Sequence, residues 1–156
     1  MRKILFKGKR KDNGEWVEGF YFKKDEHNHY IGDGQVPAQF FYEVIPETVR
    51  QFTGLTDKNG KEIFEGDIFK FPDEIWESSY TSCGTEYNSF TVENYGVVGF
   101  REDTGRFDFI KYKFDENSVE ADLHENHDIE FCEFVSDLEI VGNIHDNPEL
   151  LSEVQK

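Results

Sequence analysis

Short aromatic segments separated by glycine turns determine the fold class of this chain. Residues 3–24 place an apolar run before Asp12-Asn13-Gly14 and an aromatic run after it. Residues 95–114 repeat this arrangement around a turn that ends at Gly105. Glycine adopts positive φ without strain, and aromatic side chains favour strands. Both segments therefore predict β-hairpins.

The amino-acid composition extends the β prediction to the whole chain. Its 156 residues include 16 Phe, 7 Tyr and 2 Trp, and this length suits one domain with an appendage. Apolar runs predict further strands near Tyr30 and over residues 40–45, and two more within residues 128–147, one before Val135 and one over residues 138–144. Residues 72–94 have no clear period and predict a long loop or an inserted excursion.

These segments predict a mainly β fold with two parts. Residues 1–46 are expected to form an N-terminal β-hairpin subdomain, because Pro46 ends the apolar run before it. Residues 47–156 are expected to form an SH3-like β-barrel domain with acidic insertions. At the end of the chain, Pro148 follows a possible cap at Asn147 and predicts a short C-terminal helix.

Residues 53–71 concentrate turn-forming residues. The predicted structural turns contain Asn59, Gly60, Glu65, Gly66 and Asp67. Asp57 is expected to accept hydrogen bonds from backbone amides two residues on. Carboxylates in this segment could also serve acid/base catalysis, but it offers no partner nucleophile and no phosphate-binding glycine loop. We therefore predict turns here, no catalytic residues and no cofactor.

Charge is distributed unevenly along the chain, whose net charge is −16. Residues 1–24 hold eight Lys or Arg and three Asp or Glu, whereas residues 25–156 hold nine basic and thirty acidic residues. Such a surface repels phosphate backbones, so nucleic-acid binding by the main body is disfavoured.

The basic N-terminal hairpin is the exception. Its possible binding residues are Lys7, Lys9, Arg10, Lys11 and Trp16, which could contact phosphates or bases. In an acidic protein the same cations could dock on the acidic face of a neighbouring subunit. We favour assembly over nucleic-acid binding for this group.

The cysteines and histidines do not predict a metal site. Cys83 and Cys132 are far apart and form no C-x-x-C pair, which argues against a disulfide framework or a zinc site and favours a reducing compartment. His27 and His29 are expected in a solvated turn. His124 and His127 lie among acidic residues, where we expect an exposed loop or short helix. The N-terminus has no signal-peptide apolar run, so we expect a cytoplasmic protein without membrane contact.

Three motifs occur in order along the chain: TGLTDKNGKEI, then EGDI, then IVGNIHDNPELL. With them, the chain resembles the YopX family of phage and prophage proteins over most of its length, except residues 72–94 and 115–134. The resemblance implies a β-rich fold with an SH3-type barrel in the C-terminal part. It implies no catalytic residues, cofactor or established activity.

These observations predict a non-enzymatic phage accessory protein that self-assembles or binds a host or phage protein. Two alternatives stay open. The acidic C-terminal region could mimic nucleic acid and antagonise a host DNA-binding protein, or the basic hairpin could bind nucleic acid directly.

Overall fold

The computed structural model describes residues 3–32, 40–113 and 135–151 of the chain. Its regular elements in these ranges are ten strands and two single-turn 3₁₀ helices. The strands are β1 (Phe6–Lys9), β2 (Trp16–Lys23), β3 (His29–Gly32), β4 (Phe41–Val44), β5 (Arg50–Thr56), β6 (Glu62–Phe64), β7 (Asp67–Thr81), β8 (Gly84–Arg101), β9 (Arg106–Lys113) and β10 (Glu139–Asn143). The 3₁₀ helices span Pro46–Thr48 and Pro148–Leu151. The mainly β prediction is confirmed.

The first six strands form one antiparallel sheet in the order β4-β3-β2-β1-β5-β6. The predicted N-terminal hairpin is confirmed as β1 and β2. Gly14, in the turn between them, has a φ of 75°. β1 also pairs with β5, which follows residue 46. The division into parts at residue 46 stays a prediction.

The first sheet curls so that β4 returns to the end of β1. Val44 makes an isolated bridge with Arg10, and the Lys11 amide donates to the Glu43 carbonyl at 2.9 Å. Ile31 and Val44 are buried inside this curl against Gly8, where a Cβ atom would lie only 3.1 Å from Ile31 Cδ1. A side chain at position 8 would therefore require Ile31 to shift by a few tenths of an ångström.

The remaining strands form a second antiparallel sheet in the order β10-β7-β8-β9. The predicted second hairpin is confirmed as β8 and β9, with Gly105 at a φ of 66°. The hydrophobic core of the second sheet also contains a residue of the first sheet, because Ile63 of β6 packs with buried side chains of the second sheet. The other buried members of this cluster are Phe69, Val98, Phe107, Phe109, Val135 and Ile140.

Strands β7 and β8 continue far beyond their sheet. β10 pairs with β7 only over residues 67–70, and β9 pairs with β8 only over residues 95–101. Residues 72–81 and 84–93 pair with each other. We call this two-stranded extension the arm. The long-loop interpretation of residues 72–94 is wrong, because they form an excursion made of paired strands.

Two finer fold predictions are not confirmed. The described strands form two sheets that are not closed into a barrel, so the SH3-like barrel is not confirmed. The tail makes one 3₁₀ turn at Pro148–Leu151, and residues 152–156 lie outside the described ranges, so the C-terminal helix is not confirmed. The strand predicted before Val135 also lies outside them. In the described part of the chain, no helix has the length and apolar character needed to cross a membrane.

Candidate functional site

The first predicted turn connects β5 to β6 and attaches to β10. Gly60 has a φ of 78°, and Asp57 Oδ1 accepts hydrogen bonds from the amides of Asn59 at 2.8 Å and Lys61 at 2.9 Å. The predicted bond from the Asp57 side chain to the amide two residues on is confirmed. Asp57 Oδ2 accepts a hydrogen bond from the Ile140 amide at 3.3 Å. Burial opposes ionisation, but these backbone donors outweigh it and lower the pKa of Asp57.

The second predicted turn lies where three elements meet. Gly66, with a φ of 77°, donates its amide to the Val98 carbonyl at 2.7 Å and accepts from the Ile144 amide at 2.9 Å. Glu65 Oε2 accepts from the Gln51 amide at 3.0 Å. The corner therefore connects β5, β8 and the segment after β10 through hydrogen bonds.

Asp67 has a role that turn chemistry alone did not predict. Its Oδ1 pairs with Arg50 Nη1 at 2.6 Å, and its Oδ2 accepts from the Phe64 amide at 2.8 Å. Arg50 is only 5% exposed. Burial raises the pKa of the Asp67 carboxyl, while the Arg50 guanidinium acts in the opposite direction. This buried ion pair ties β5 to the start of β7.

Trp16 lies between two cations on the same face of the first sheet. The Arg50 guanidinium is 4.5 Å from the Trp16 ring centroid, and Lys9 Nζ is 5.4 Å from it. Both distances are typical of cation–π contacts. The indole Nε1 donates to Asp146 Oδ2 at 2.8 Å, which joins the first sheet to the loop after β10.

Asp146 is the centre of this loop. It pairs with Lys9 at 2.6 Å and accepts from Asn143 Nδ2 at 2.7 Å. Asn143 Oδ1 in turn accepts from the amides of His145 and Asp146, both at 3.0 Å. Partial burial disfavours the Asp146 carboxylate, but hydrogen bonds from Asn143, Lys9 and Trp16 outweigh that cost and lower the pKa of Asp146 to about 2.

His145 lies beside Trp16, with 6.0 Å between ring centroids. Burial and the nearby charges of Arg50 and Lys9 lower its pKa, and Asp146 acts against them. We call Trp16, Arg50, Asp67, His145 and Asp146 the polar junction, because they connect the two sheets.

The structure places the residues of the predicted basic group in separate environments. Lys7 and Lys9 lie on one face of β1, and Trp16 and Arg50 are on that face as their cross-strand partners. Arg10 pairs with Asp12 at 2.5 Å and stacks on the Tyr42 ring at 4.3 Å. Lys11 pairs with Glu43 at 2.6 Å. Most of these cations are therefore neutralised within the chain.

A half-open cleft of about 340 Å³ lies over the polar junction. Trp16 and Phe64 contribute its aromatic wall. Its charged lining consists of Lys7, Arg50, Lys61, Glu62, Asp67 and Asp146. Cationic side chains beside an aromatic wall can hold an anion.

The histidines and Cys83 are placed separately from this cleft. His29 is buried, and its Nδ1 is 2.7 Å from the Tyr21 hydroxyl, so its solvated-turn prediction is wrong; His27 is exposed. Among the described residues, no three His, Cys, Asp or Glu side chains are grouped to hold a metal ion. Cys83 is exposed at the arm tip. His124, His127 and Cys132 lie outside the described residues.

Sequence reasoning missed Arg50, Asn143 and Asp146. A single arginine inside the apolar strand segment at residues 48–55 was a usable signal, because an isolated charge in a strand requires a partner. Its partner Asp67 lies 17 positions away in another strand, and Trp16 and Asp146, which form a hydrogen bond, are 130 positions apart, so no local pattern joins these residues.

The fold and cleft define a two-sheet β protein whose sheets are joined by a buried ion pair and an aspartate-centred loop. The family model described as YopX protein matches residues 5–152, so the chain belongs to the YopX family. This match confirms the family assignment made from the three motifs. No curated protein matches the chain.

Proposed function

We propose that this chain is a non-enzymatic, phage-encoded accessory protein of the host cytoplasm that self-assembles through the arm. One observation carries the proposal: the arm projects beyond its sheet and exposes two tyrosines near its tip. Tyr80 is 89% exposed and Tyr87 is 69% exposed. Exposed aromatic side chains of this size are enriched in protein interfaces.

The two tyrosines lie on one face of the arm. Ser78 pairs with Tyr87, and Tyr80 pairs with Thr85, so both aromatic rings belong to the same side of the ribbon and are diagonal neighbours. Ten residues of strand span about 33 Å. An isolated two-stranded ribbon is marginally stable in water, and contact with a second ribbon would stabilise it.

Charge favours a second copy of the chain as the partner. Residues 78–85 contain no charged side chain, although the chain as a whole has a net charge of −16. Two copies repel each other over most of their surface, and this repulsion is weakest where the tips meet. Edge strands that lack charge are also those that pair most readily with another chain.

Light scattering coupled to size-exclusion chromatography, in reducing buffer at physiological salt, tests this proposal. We expect the wild-type mass to rise above the monomer value with concentration. The double substitution Tyr80→Glu and Tyr87→Glu places two negative charges on each arm near its tip. Two such arms repel each other, so this variant is expected to be a monomer. Ile4→Glu, at a side chain 59% exposed and outside the arm, is the matched control and should assemble as wild type.

A wild-type protein that stays monomeric throughout would overturn the self-assembly proposal. If the mass instead rises only with an added host or phage protein, the arm binds a different partner and the proposed second copy is wrong. Nucleic-acid mimicry by the acidic C-terminal region and nucleic-acid binding by the basic hairpin stay as alternatives. Pairing of Lys9, Arg10 and Lys11 within the chain disfavours the second of them.

A further inference from the structure

The outer face of the first sheet carries four aromatic side chains that lie together. Phe22 and Tyr30 are cross-strand partners whose ring centroids are 5.2 Å apart, and the Phe41 ring meets Phe22 edge-on at 5.4 Å. Phe20, two residues before Phe22, belongs to the same face of β2. We call Phe20, Phe22, Tyr30 and Phe41 the aromatic patch. It lies on the side of the sheet opposite to the buried Ile31.

The three phenylalanines of the aromatic patch are about half exposed to solvent. Their exposed fractions are 49% for Phe20, 42% for Phe22 and 57% for Phe41. A phenylalanine side chain presents roughly 200 Å², so the three rings leave roughly 300 Å² of aromatic surface uncovered. A contiguous apolar patch of this size on a protein surface is often functional.

Elsewhere in the first sheet, the chain covers aromatic rings with its own cations. Lys3 Nζ lies 5.6 Å from the Phe52 ring centroid, and Lys7 Nζ lies 5.4 Å from that of Phe64. Trp16 has two such cations. Among the described residues, no lysine or arginine lies over a ring of the aromatic patch. The patch therefore offers ring faces for cation–π contacts with a partner.

The charged side chains around the aromatic patch balance one another. Glu18 lies opposite Lys7 in the paired strands, and Glu43 binds Lys11 at 2.6 Å. Residues 23–26, at the end of β2, contain two lysines and two acidic residues. Because these groups have no excess of positive charge, they do not oppose an incoming cation. The net charge of −16 attracts a cation from a distance.

We propose that the aromatic patch docks an arginine-bearing segment of a different protein, with a guanidinium group over the Phe22 or Phe41 ring and apolar neighbours against Phe20. Arginine fits better than lysine, because its planar guanidinium stacks on aromatic rings and is less strongly hydrated than an ammonium group. Nucleic acid fits less well, because the net charge of the chain repels its phosphates.

A second copy of the chain is a poor source of that arginine. Each of the four arginines that the structure describes forms an ion pair within the chain: Arg10, Arg50, Arg101 and Arg106. Transfer of one of these guanidinium groups to the patch of another copy would first break its own pair. The aromatic patch is therefore a surface separate from the arm, and it fits a different partner.

Fluorescence anisotropy with labelled peptides tests this docking directly. Three short peptides of equal length alternate leucine with arginine, with lysine or with glutamate. Each is titrated with the full chain at physiological salt, which screens weak contacts between exposed charges. We expect saturable binding of the arginine peptide, binding of the lysine peptide at least about threefold weaker, and no binding of the glutamate peptide.

Phenylalanine substitutions locate the site. Phe22→Ala and Phe41→Ala are each expected to weaken binding of the arginine peptide about tenfold, because each removes a ring from the contact. Tyr87→Ala is the matched control, because it removes an exposed ring of the arm, and it should bind as wild type does. Thermal unfolding shows whether each variant is folded. Where one of the first two unfolds, Phe20→Ala takes its place and should weaken binding in the same direction.

Any of three results would overturn the proposal: no saturable binding of the arginine peptide, equal affinity for the arginine and lysine peptides, or unchanged affinity in the Phe22→Ala and Phe41→Ala double variant. A labelled single-stranded oligonucleotide that binds wild type and loses affinity in the same double variant would assign the patch to nucleic acid instead. Peptide binding by a chain that stays monomeric would support this proposal while self-assembly through the arm fails, so the two proposals are tested separately.

Discussion

Arg50 and Asp67 form an ion pair from which water is nearly excluded. Each side chain is about one-twentieth exposed, and the two charges are 2.6 Å apart. Desolvation makes such a pair costly to form, but removal of one member is worse, because it leaves the other charge buried without a partner. The guanidinium also packs against the Trp16 ring, 4.5 Å from its centroid.

Asp67→Ala is expected to lower the free energy of unfolding by about 3–5 kcal/mol, because Arg50 would remain charged and buried. Asp103→Ala, which breaks the exposed pair with Arg101, is the matched control and should cost far less, because water screens that pair. Urea unfolding measures both. A cost for Asp67→Ala no greater than that of the control would show that the pair is not buried in solution.

The depressed pKa of Asp146 predicts a dependence of stability on acid. A carboxyl whose pKa is lowered to about 2 in the folded protein stabilises the fold fully above its ordinary pKa near 3.8. That contribution is lost as the pH falls toward about 2. Urea unfolding of wild type and Asp146→Asn at a series of pH values should show a stability difference at pH 6 that shrinks below pH 4. A difference that is constant with pH would contradict the assigned contacts.

At the scale of elements, the two turns after β5 share a backbone conformation but differ in their surroundings. Gly60 and Gly66 both have positive φ. A Cβ at Gly60 would meet open space, whereas one at Gly66 would lie 3.1 Å from Ile144 Cδ1 and Cγ1. The same substitution therefore tests the packing at each turn.

Gly60→Ala is expected to cost about 1 kcal/mol, the usual penalty for an alanine at positive φ. Gly66→Ala is expected to cost at least about 2 kcal/mol, because Ile144 must also move. Chemical denaturation of the two single variants gives both values. Equal costs would mean that Ile144 does not pack against the corner.

Among the described strands, the arm pairs only with itself. Its residues 72–81 and 84–93 pair with each other beyond the ends of β10 and β9. The family motifs lie outside residues 72–94. The arm therefore extends a sheet whose core is built from other residues.

Replacement of residues 73–92 by Asn-Gly places a two-residue turn between Pro72 and Glu93, which are cross-strand partners. We expect the melting temperature at low protein concentration to change by less than about 4 °C, the shift produced by about 1 kcal/mol in a chain of this size. Circular dichroism during heating measures it. Loss of cooperative unfolding would show that the arm is needed for the fold.

At the scale of the whole molecule, local signals predicted part of the fold well. Glycines with positive φ located the turns at Gly14, Gly60 and Gly105, because a local backbone requirement leaves a local sequence mark. The way in which the strands assemble into sheets could not be predicted from local sequence. Whether strands close into a barrel depends on pairings between distant segments, such as β1 with β5.

The candidate site was predicted less well for the same reason. Lys7, Lys9 and Trp16 were recognised as one group because they share a hairpin. Their partners Arg50 and Asp146 come from other elements, and only folding brings them together. The paired strands of the arm were not predicted, because residues 72–94 mix Ser, Thr, Gly, Tyr and acidic residues without a clear period.

Disulfide trapping at the arm tip tests the central claim most directly. In a Cys132→Ser background, Cys83 is the single cysteine, and it is exposed at the tip. The matched control carries Cys83→Ser and Asp103→Cys, which moves the thiol to the exposed turn between β8 and β9. Under mild oxidation at equal concentration, tip contact predicts covalent dimers that form much faster through Cys83 than through the control cysteine. Equal rates, or no dimer through Cys83, would contradict assembly through the arm.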